Sequence, residues 1–313
     1  MPIDVSIIIV NYNSEECLFG CIESIKRHAS KVDCEIIIVD NNSPGKYKLN
    51  DLNFKGSNLK LIETGNNGGF GFGCNTGAKN ADGELLLFLN PDTEFIDESL
   101  ERLIAAYRLG RDNGIGAVSP VFTDRKGRPI YSYNSFPNLR WELAEALGLG
   151  GTEKITSEHI RIMESKLNSN KDFEVDAFTG ACILISKNLF FETGGFDEKM
   201  FLYYEDTDLQ KRLSVKGLKN VIISGCKIVH TPNTSTKSVN GEMFYYYNLY
   251  RSKLIYFKKH LSFCKRFFFR GMHIAGIFIR LTCVPLRKKF NNKRKEYSAF
   301  YIKMLYMLFT YRP

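Results

Sequence analysis

The stretch Glu84-Leu85-Leu86-Leu87-Phe88-Leu89-Asn90-Pro91-Asp92-Thr93 constrains this chain more than any other. A short, unbroken apolar run drives straight into a carboxylate. Such a run predicts a strand buried on both faces, as in the interior of a parallel sheet. Pro91 cannot continue the strand, so the chain breaks there. Asp92 is therefore delivered to the carboxyl end of a central strand, the edge at which open α/β sheets bind their ligands. A carboxylate at that point either holds a metal or caps the next helix.

The rest of the chain alternates between strand and helix patterns, which predicts an α/β fold. Strands are expected at Val5–Val10, Glu35–Val39, Leu59–Ile62, Gly116–Val121 and Cys182–Ser186. A helix is expected from Ser14, a plausible N-cap, to about Ala29, with Leu18, Cys21, Ile22 and Ile25 on its inner face. Others are expected over 71–81, 97–109 (with Leu100, Leu103, Ile104 and Tyr107 inward), 206–216 and 242–259. Residues 122–175 are rich in polar and turn residues and give no clear pattern. The 313 residues suffice for one large domain and an appendage.

The hydrophobic fraction of 44% excludes a disordered chain, and it is too dispersed for a multi-spanning membrane protein. No segment reaches the roughly 20 apolar residues that a bilayer span needs. The start of the chain lacks the basic flank of a signal peptide. The eight cysteines are scattered without a Cys-x-x-Cys pair, which points to reduced thiols in a cytosolic protein. Cys17 and Cys21, four apart, read as packing residues.

The net charge of +9 is unevenly spread. Residues 251–313 hold 16 Lys or Arg against one acid, Glu296, whereas residues 1–250 hold 27 basic and 33 acidic residues. The basic tail is also aromatic. That combination fits an interfacial helix on anionic lipid, a nucleic-acid arm, or a helix covering a subunit contact in a homo-oligomer. Ile274, Ile277, Phe278 and Leu281 recur at helical spacing, which favours the membrane surface. The acidic first 250 residues argue against nucleic acid.

Two features of the second half bear on Asp92. Glu205, Asp206 and Asp208 cluster directly after Phe201-Leu202-Tyr203-Tyr204, and His230 ends the apolar stretch Lys227-Ile228-Val229. The acids could simply favour a helix N-terminus, and the histidine could be an ordinary strand-end residue. Together with Asp92 they supply a hard oxygen ligand, a nitrogen ligand and a candidate base. Such a set suits Mn2+ or Mg2+ bridging a diphosphate.

In order and spacing, several blocks resemble the family 2 glycosyltransferases of the GT-A fold. They are Val5-Ser6-Ile7-Ile8-Ile9-Val10-Asn11-Tyr12-Asn13, Ile36-Ile37-Ile38-Val39-Asp40-Asn41-Asn42-Ser43, Asn66-Asn67-Gly68-Gly69-Phe70-Gly71 through Asn75-Thr76-Gly77, and Leu89-Asn90-Pro91-Asp92-Thr93. Thr179-Gly180-Ala181, Gly194-Gly195-Phe196-Asp197, Glu205-Asp206 and His230 follow. The likeness spans roughly residues 3–235. Its glycine-rich third block most resembles rhamnosyltransferase-like members that use dTDP-rhamnose.

The resemblance implies a mixed, mostly parallel sheet flanked by helices. It divides the chain into a catalytic domain over 1–240 and a helical, basic-aromatic region over 241–313. The nucleotide-binding half would be about 1–120 and the acceptor half about 121–240. It assigns Asp40 to the nucleotide base, although Asp40-Asn41-Asn42-Ser43 also reads as an Asx-turn. Asn11 and Tyr12 would wall the same pocket. Gly69 and its neighbours would allow close backbone approach to the ligand, and Asn75 would reach the sugar nucleotide. Asp92 and His230 would hold the metal. Asn90, where relatives often have Asp, carries no charge and would contact ribose or a metal-bound water. Gly180 and Ala181 would leave room for the sugar, while Gly195 and Asp197 would shape the acceptor side. Asp206 is the candidate base, with Glu205 and Asp208 as fallbacks.

The function implied is inverting transfer of a sugar, best matched by L-rhamnose from dTDP-rhamnose. The acceptor would be a saccharide or lipid-linked saccharide, and the process cell-surface polysaccharide synthesis at the cytoplasmic face of a membrane. A UDP-hexose donor is the alternative within the fold. A degenerate carbohydrate-binding module, which Asn90 would permit, is the alternative outside catalysis.

Overall fold

The computed structural model describes residues 3–44, 58–146, 161–162, 164–167, 171–231, 239–283 and 294–311. The chain divides into two compact units, one from residues 1–136 and 156–233, the other from 137–155 and 234–313.

In the first unit, β1 (Val5–Asn11), β2 (Cys34–Asp40), β3 (Leu59–Glu63) and β4 (Leu85–Leu89) lie parallel in the order β3-β2-β1-β4. β10 (Cys182–Ser186) runs antiparallel to both β4 and β6 (Ile115–Thr123). β11 (Lys219–His230) lies parallel to β6 and antiparallel to β5 (Thr93–Phe95) and β8 (Phe173–Val175). β7 (Tyr133–Asn134) and β9 (Ala177–Phe178) form a separate pair. The sheet is thus mixed and mostly parallel, as expected.

Both faces of its centre are covered, which explains the unbroken apolar runs. Val5, Ile7 and Ile9 of β1 and Leu85, Leu87 and Leu89 of β4 face one core, beside α1 (Glu15–His28) and α3 (Ser99–Arg111). The inward residues expected on those helices are all buried. Ile8, Val10, Leu86 and Phe88 face the other core, under α2 (Phe70–Lys79), α5 (Lys187–Glu192) and α6 (Glu205–Val215). Burying each such side chain contributes about 1.5–3 kcal/mol. Cys21 is packed in the first core, and burial pushes its thiol up to about 12, in keeping with a packing role. The seven described cysteines are free thiols. Ser14 does precede α1, but its hydroxyl donates to Asn11 Oδ1 at 2.9 Å and does not cap the helix.

The second unit gathers α4 (Leu139–Ala146) with α7 (Val239–His260), α8 (Phe263–Cys283) and α9 (Arg294–Thr310). Its interior holds a charged cluster. Buried Glu142 accepts hydrogen bonds from Lys253 at 2.9 Å and His273 at 3.0 Å. Burial pushes the Glu142 carboxyl up, but His273 and the Lys253 ammonium outweigh it and hold it below its ordinary value. α4 comes from the stretch that gave no sequence pattern, and Glu142 ties it to α7 and α8. Among the described residues no helix is long and apolar enough to cross a membrane.

Candidate active site

From β1 the chain winds outward through β2 to β3, then returns to place β4 on the other side of β1. The carboxyl ends of β1 and β4 therefore flank a topological switch point, where such sheets form their ligand crevice. Asn11 ends β1 beside Asp40 at the end of β2. Buried Asn11 donates from Nδ2 to Asp40 Oδ1 at 2.8 Å, while its Oδ1 accepts from Ser14. Asp40 also accepts the Ser43 hydroxyl at 2.6 Å and the Ser43 N–H at 3.1 Å. The turn anticipated at Asp40–Ser43 is formed, and it fixes the carboxylate at the sheet edge. Tyr12, next along the chain, is half exposed.

At the end of β4, Asn90 accepts hydrogen bonds at its carbonyl from the Thr93 N–H and hydroxyl, closing the turn around Pro91 and Asp92. β5 then pairs with the last residues of β11, setting Thr93 opposite His230. Thr231 N–H donates to the Asp92 carbonyl at 3.0 Å. Strand pairing thus brings two side chains far apart in sequence together, with His230 Nε2 lying 3.4 Å from Asp92 Oδ1. The Phe122 ring, 5.2 Å from the His230 ring, packs against it. Two adjacent donors on an octahedral ion with bonds of about 2.1 Å sit about 3 Å apart, so this pair fits a divalent cation. Among the described residues no group of three or more His, Cys, Asp or Glu is placed to hold a metal ion, and Asp92 and His230 are the pair at this edge.

Asp206 is tied to the same edge by backbone. Its Oδ2 accepts from Gly180 N–H at 2.7 Å and its Oδ1 from Thr207 N–H at 2.6 Å. The next residue, Ala181, accepts at its carbonyl from Asn90 N–H at 2.9 Å. Gly180 and Ala181 thus join the Asp206 carboxylate to the Asn90–Asp92 turn through adjacent peptide groups. Burial raises the Asp206 carboxyl above its ordinary value, against the lowering effect of the Thr207 and Gly180 bonds.

Glu205 differs. It is buried, and its Oε2 accepts no hydrogen bond. Burial first, and the neighbouring Asp206 charge second, push its carboxyl well above the ordinary 4.5. It packs close to Gly71 of α2. Unfolded, Glu205 releases its proton near 4.5; folded, it keeps it to a much higher pH. Stability therefore falls as pH rises from 4.5 through the folded value. Glu205→Gln removes this penalty, so its melting temperature should exceed the native one increasingly above pH 4.5. Each kcal/mol regained is worth about 1.5 °C in a chain of 313 residues. Thermal scans across pH check this, and identical pH profiles for variant and native chain would refute it.

The approach to α6 is strained. Tyr203 and Tyr204 both take left-handed backbone conformations, with φ of 69° and 70°. Each costs on the order of 1–3 kcal/mol for a non-glycine residue and persists only where surroundings enforce it. One such constraint is Gly69. A Cβ there would lie 2.0 Å from the Phe201 carbonyl oxygen, which instead accepts from Phe70 N–H at 3.1 Å. Contact with Phe201 alone therefore requires glycine at 69. Gly73 likewise gives room to Val10.

Several expected ligand contacts have protein partners. Asn75 brackets Phe196, accepting from its N–H and donating to its carbonyl, both at 2.9 Å, and also donates to Glu198 at 2.8 Å. These bonds tie α2 to the Phe196–Glu198 segment. Asp208 is fully buried and pairs with Arg212 at 2.8 Å, which corrects its reading as an acceptor contact or base. Arg212 also donates to the Thr193 and Gly195 carbonyls, so it braces the Gly194–Gly195 turn. Asp197 accepts from Lys199 N–H at 3.1 Å. The sequence reading missed Arg212, although Asp208-x-x-x-Arg212 has the spacing of a helical ion pair. It also missed Asn41, whose buried amide donates to the Gly69 carbonyl at 2.8 Å.

Comparison with known proteins agrees with this geometry. The model of "Glycosyl transferase family 2" matches residues 6–191. The chain is 29% identical over 236 residues to the low-salt glycan biosynthesis hexosyltransferase Agl10 of Haloferax volcanii, covering 72% of this chain and 66% of that one. It is 29% identical over 192 residues to the N-acetylglucosaminyl-diphospho-decaprenol L-rhamnosyltransferase of Mycobacterium tuberculosis, covering 57% and 61%. It thus spans less than two thirds of the length of these two relatives. It is 27% identical over 250 residues to the rhamnosyltransferase WbbL of Escherichia coli, covering 77% and 88%. Among solved structures, GalNAc-T7 with UDP, GalNAc and Mn2+ aligns with a TM-score of 0.63 at 14% identity, over 99% of this chain and 58% of that one. S. aureus TarS 1–349 in complex with UDP aligns with a TM-score of 0.51 at 14% identity, over 98% and 90%. At such identities the likeness establishes the GT-A fold alone. With more than half its length matched by the family model, the chain belongs to glycosyltransferase family 2.

Proposed function

We propose that this chain is a metal-dependent inverting glycosyltransferase of cell-surface polysaccharide synthesis. The observation that carries the reading is the Asp92–His230 pair at the switch point, with the Asp206 carboxylate tied to the same edge through Gly180 and Ala181. Asp92 and His230 would hold Mn2+ or Mg2+, which offsets charge on a nucleoside diphosphate. Asp40, fixed by Asn11 and Ser43, stands where a carboxylate can accept the ring N–H of uracil or thymine. Asp206 takes the proton of an acceptor hydroxyl as that oxygen bonds to the anomeric carbon from the side opposite the departing diphosphate. Its raised carboxyl makes it a stronger base than an ordinary aspartate.

The donor we favour is dTDP-L-rhamnose, supported by the rhamnosyltransferases among the relatives. The acceptor we favour is a saccharide on a lipid carrier. The basic C-terminal region would hold the chain on the anionic cytoplasmic face of the membrane that carries it. A panel of nucleotide sugars with Mn2+ tests the donor. dTDP-rhamnose should raise the melting temperature most, by the equivalent of about 2.7 kcal/mol at 100 times its Kd. A larger shift with UDP-hexoses would transfer the assignment to a UDP-hexose-dependent transferase of the same fold. Stabilisation without donor hydrolysis or transfer would mark a binding module.

A further inference from the structure

We infer that α8 and α9 enter the boundary of an anionic bilayer through outward rows of apolar and aromatic side chains bordered by lysines, lying in its plane. The inference rests on the membrane reading above and gives it residues and a mode.

α8 turns Phe269, Met272, His273 and Ile277 into its own unit. Its opposite side carries Phe267, Phe268, Gly271, Ala275, Phe278 and Ile279, all exposed and none charged. Phe267 is 75% exposed, and Ile277 only 2%. The stripe expected at Ile274, Ile277, Phe278 and Leu281 is therefore wrong in rotation: Ile277 belongs to the interior, and the outward row is led by Phe267 and Phe268. A surface helix ordinarily shows polar residues outward. Here Lys265 is exposed beside the outward row, and the three arginines are half-buried and turned to other partners. Arg270 donates to the Tyr311 carbonyl at 2.7 Å and Arg280 to the Tyr250 hydroxyl at 3.1 Å. Arg266 sits 5.7 Å from the Phe263 ring.

α9 has a shorter row of the same kind, which exposed Lys295 continues toward the helix start. Tyr297, Met304, Leu305, Met307 and Leu308 are buried. Ile302, Tyr306 and Phe309 follow one another outward at helical spacing, the last two 69% and 60% exposed. The ammonium of the neighbouring Lys303 is turned onto the Tyr247 ring at 4.7 Å.

Charge identifies the occupant. Residues 251–313 hold 16 Lys or Arg and one acid, so a second copy would bring like charge against like. Anionic lipid offers an apolar boundary beneath a negative surface. The sequence between the two outward rows, Arg287-Lys288-Lys289 and Lys293-Arg294-Lys295, is of the polybasic kind such a surface attracts. Neither helix is apolar enough to span, so the faces lie at the headgroup level, where exposed aromatic side chains are buried.

Co-sedimentation of the full chain with phosphatidylglycerol-containing vesicles tests this, with the triple variant Phe267→Ser, Phe268→Ser, Phe278→Ser as comparison. The positions are exposed, and matching melting curves will show that the variant folds. At low salt both should bind, drawn by charge. At about 1 M salt, where the Debye length falls to about 3 Å, the native chain should keep part of its binding and the variant lose it, a difference of roughly tenfold or more. Tryptophan placed at 268 in a Trp141→Phe background should be quenched by brominated lipid. If the native chain ignores the vesicles even at low salt, the membrane reading itself falls. If it binds but the variant matches it at high salt and position 268 is not quenched, only the insertion inference falls. If the native chain is a dimer that the triple variant dissociates, the faces are a subunit contact and the inference is overturned.

Discussion

Asp206→Asn should lower turnover by at least about 10²-fold while donor affinity stays nearly unchanged, because a general base acts only as the acceptor is deprotonated. The structure sharpens this expectation. Gly180 and Thr207 both present N–H donors to the carboxylate. An asparagine can turn its oxygen to one of them only, so its amide nitrogen will face the other. A small fall in melting temperature is therefore expected beside the large kinetic loss. The pH profile separates the two effects. Burial raises the native Asp206 carboxyl above 3.8, so the acid limb of kcat should lie above the ordinary aspartate range, and that limb should vanish in the variant. An Asp206→Asn enzyme with native turnover and an unaltered acid limb would remove Asp206 from the base position. Asp208→Asn should behave differently, losing stability first, because it strips a partner from Arg212 and loosens the Thr193–Gly195 turn.

Parts of this molecule legible in its sequence are those in which one local pattern reports one burial environment. β4 and β10 are read correctly because both faces are covered, and α1 and α3 because one face is. β11 shows the opposite case. Only its last residues read as strand, since Ser224 and Gly225 interrupt the apolar run, and there the pairing with β6 shifts register. The left-handed Tyr203 and Tyr204 carry no local signal at all; tertiary contacts impose them, as the Gly69–Phe201 contact illustrates. Asn75 is a related case. Its bonds to Phe196, 121 residues away, leave no trace in the local pattern. Composition located the basic tail, whereas the outward face of α8 depends on which side packs, and that was fixed by Phe269, His273 and Ile277.

Removal of the divalent cation should abolish transfer, and Asp92→Ala should weaken nucleotide binding by at least about 10²-fold in its presence, since even outer partners of a metal site cost 10–100-fold. Asp92 and His230 meet across β5 and β11 with 3.4 Å between their polar atoms. The resemblance to relatives alone could not establish this proximity. The arrangement also predicts a change of sign. Without a cation, a carboxylate held at this edge repels the diphosphate that the crevice must take. Asp92→Ala should therefore bind dTDP or UDP no worse than the native chain in EDTA, and slightly better at low salt, where the repulsion is least screened. His230→Ala should share the loss with Mn2+ but show no gain in EDTA, because an imidazole carries no negative charge to repel the diphosphate. Titration calorimetry of the nucleotide with and without Mn2+ measures all four cases. Full transfer activity in EDTA, or an Asp92→Ala loss equally large with and without the ion, would mean that the pair serves the fold and holds no metal.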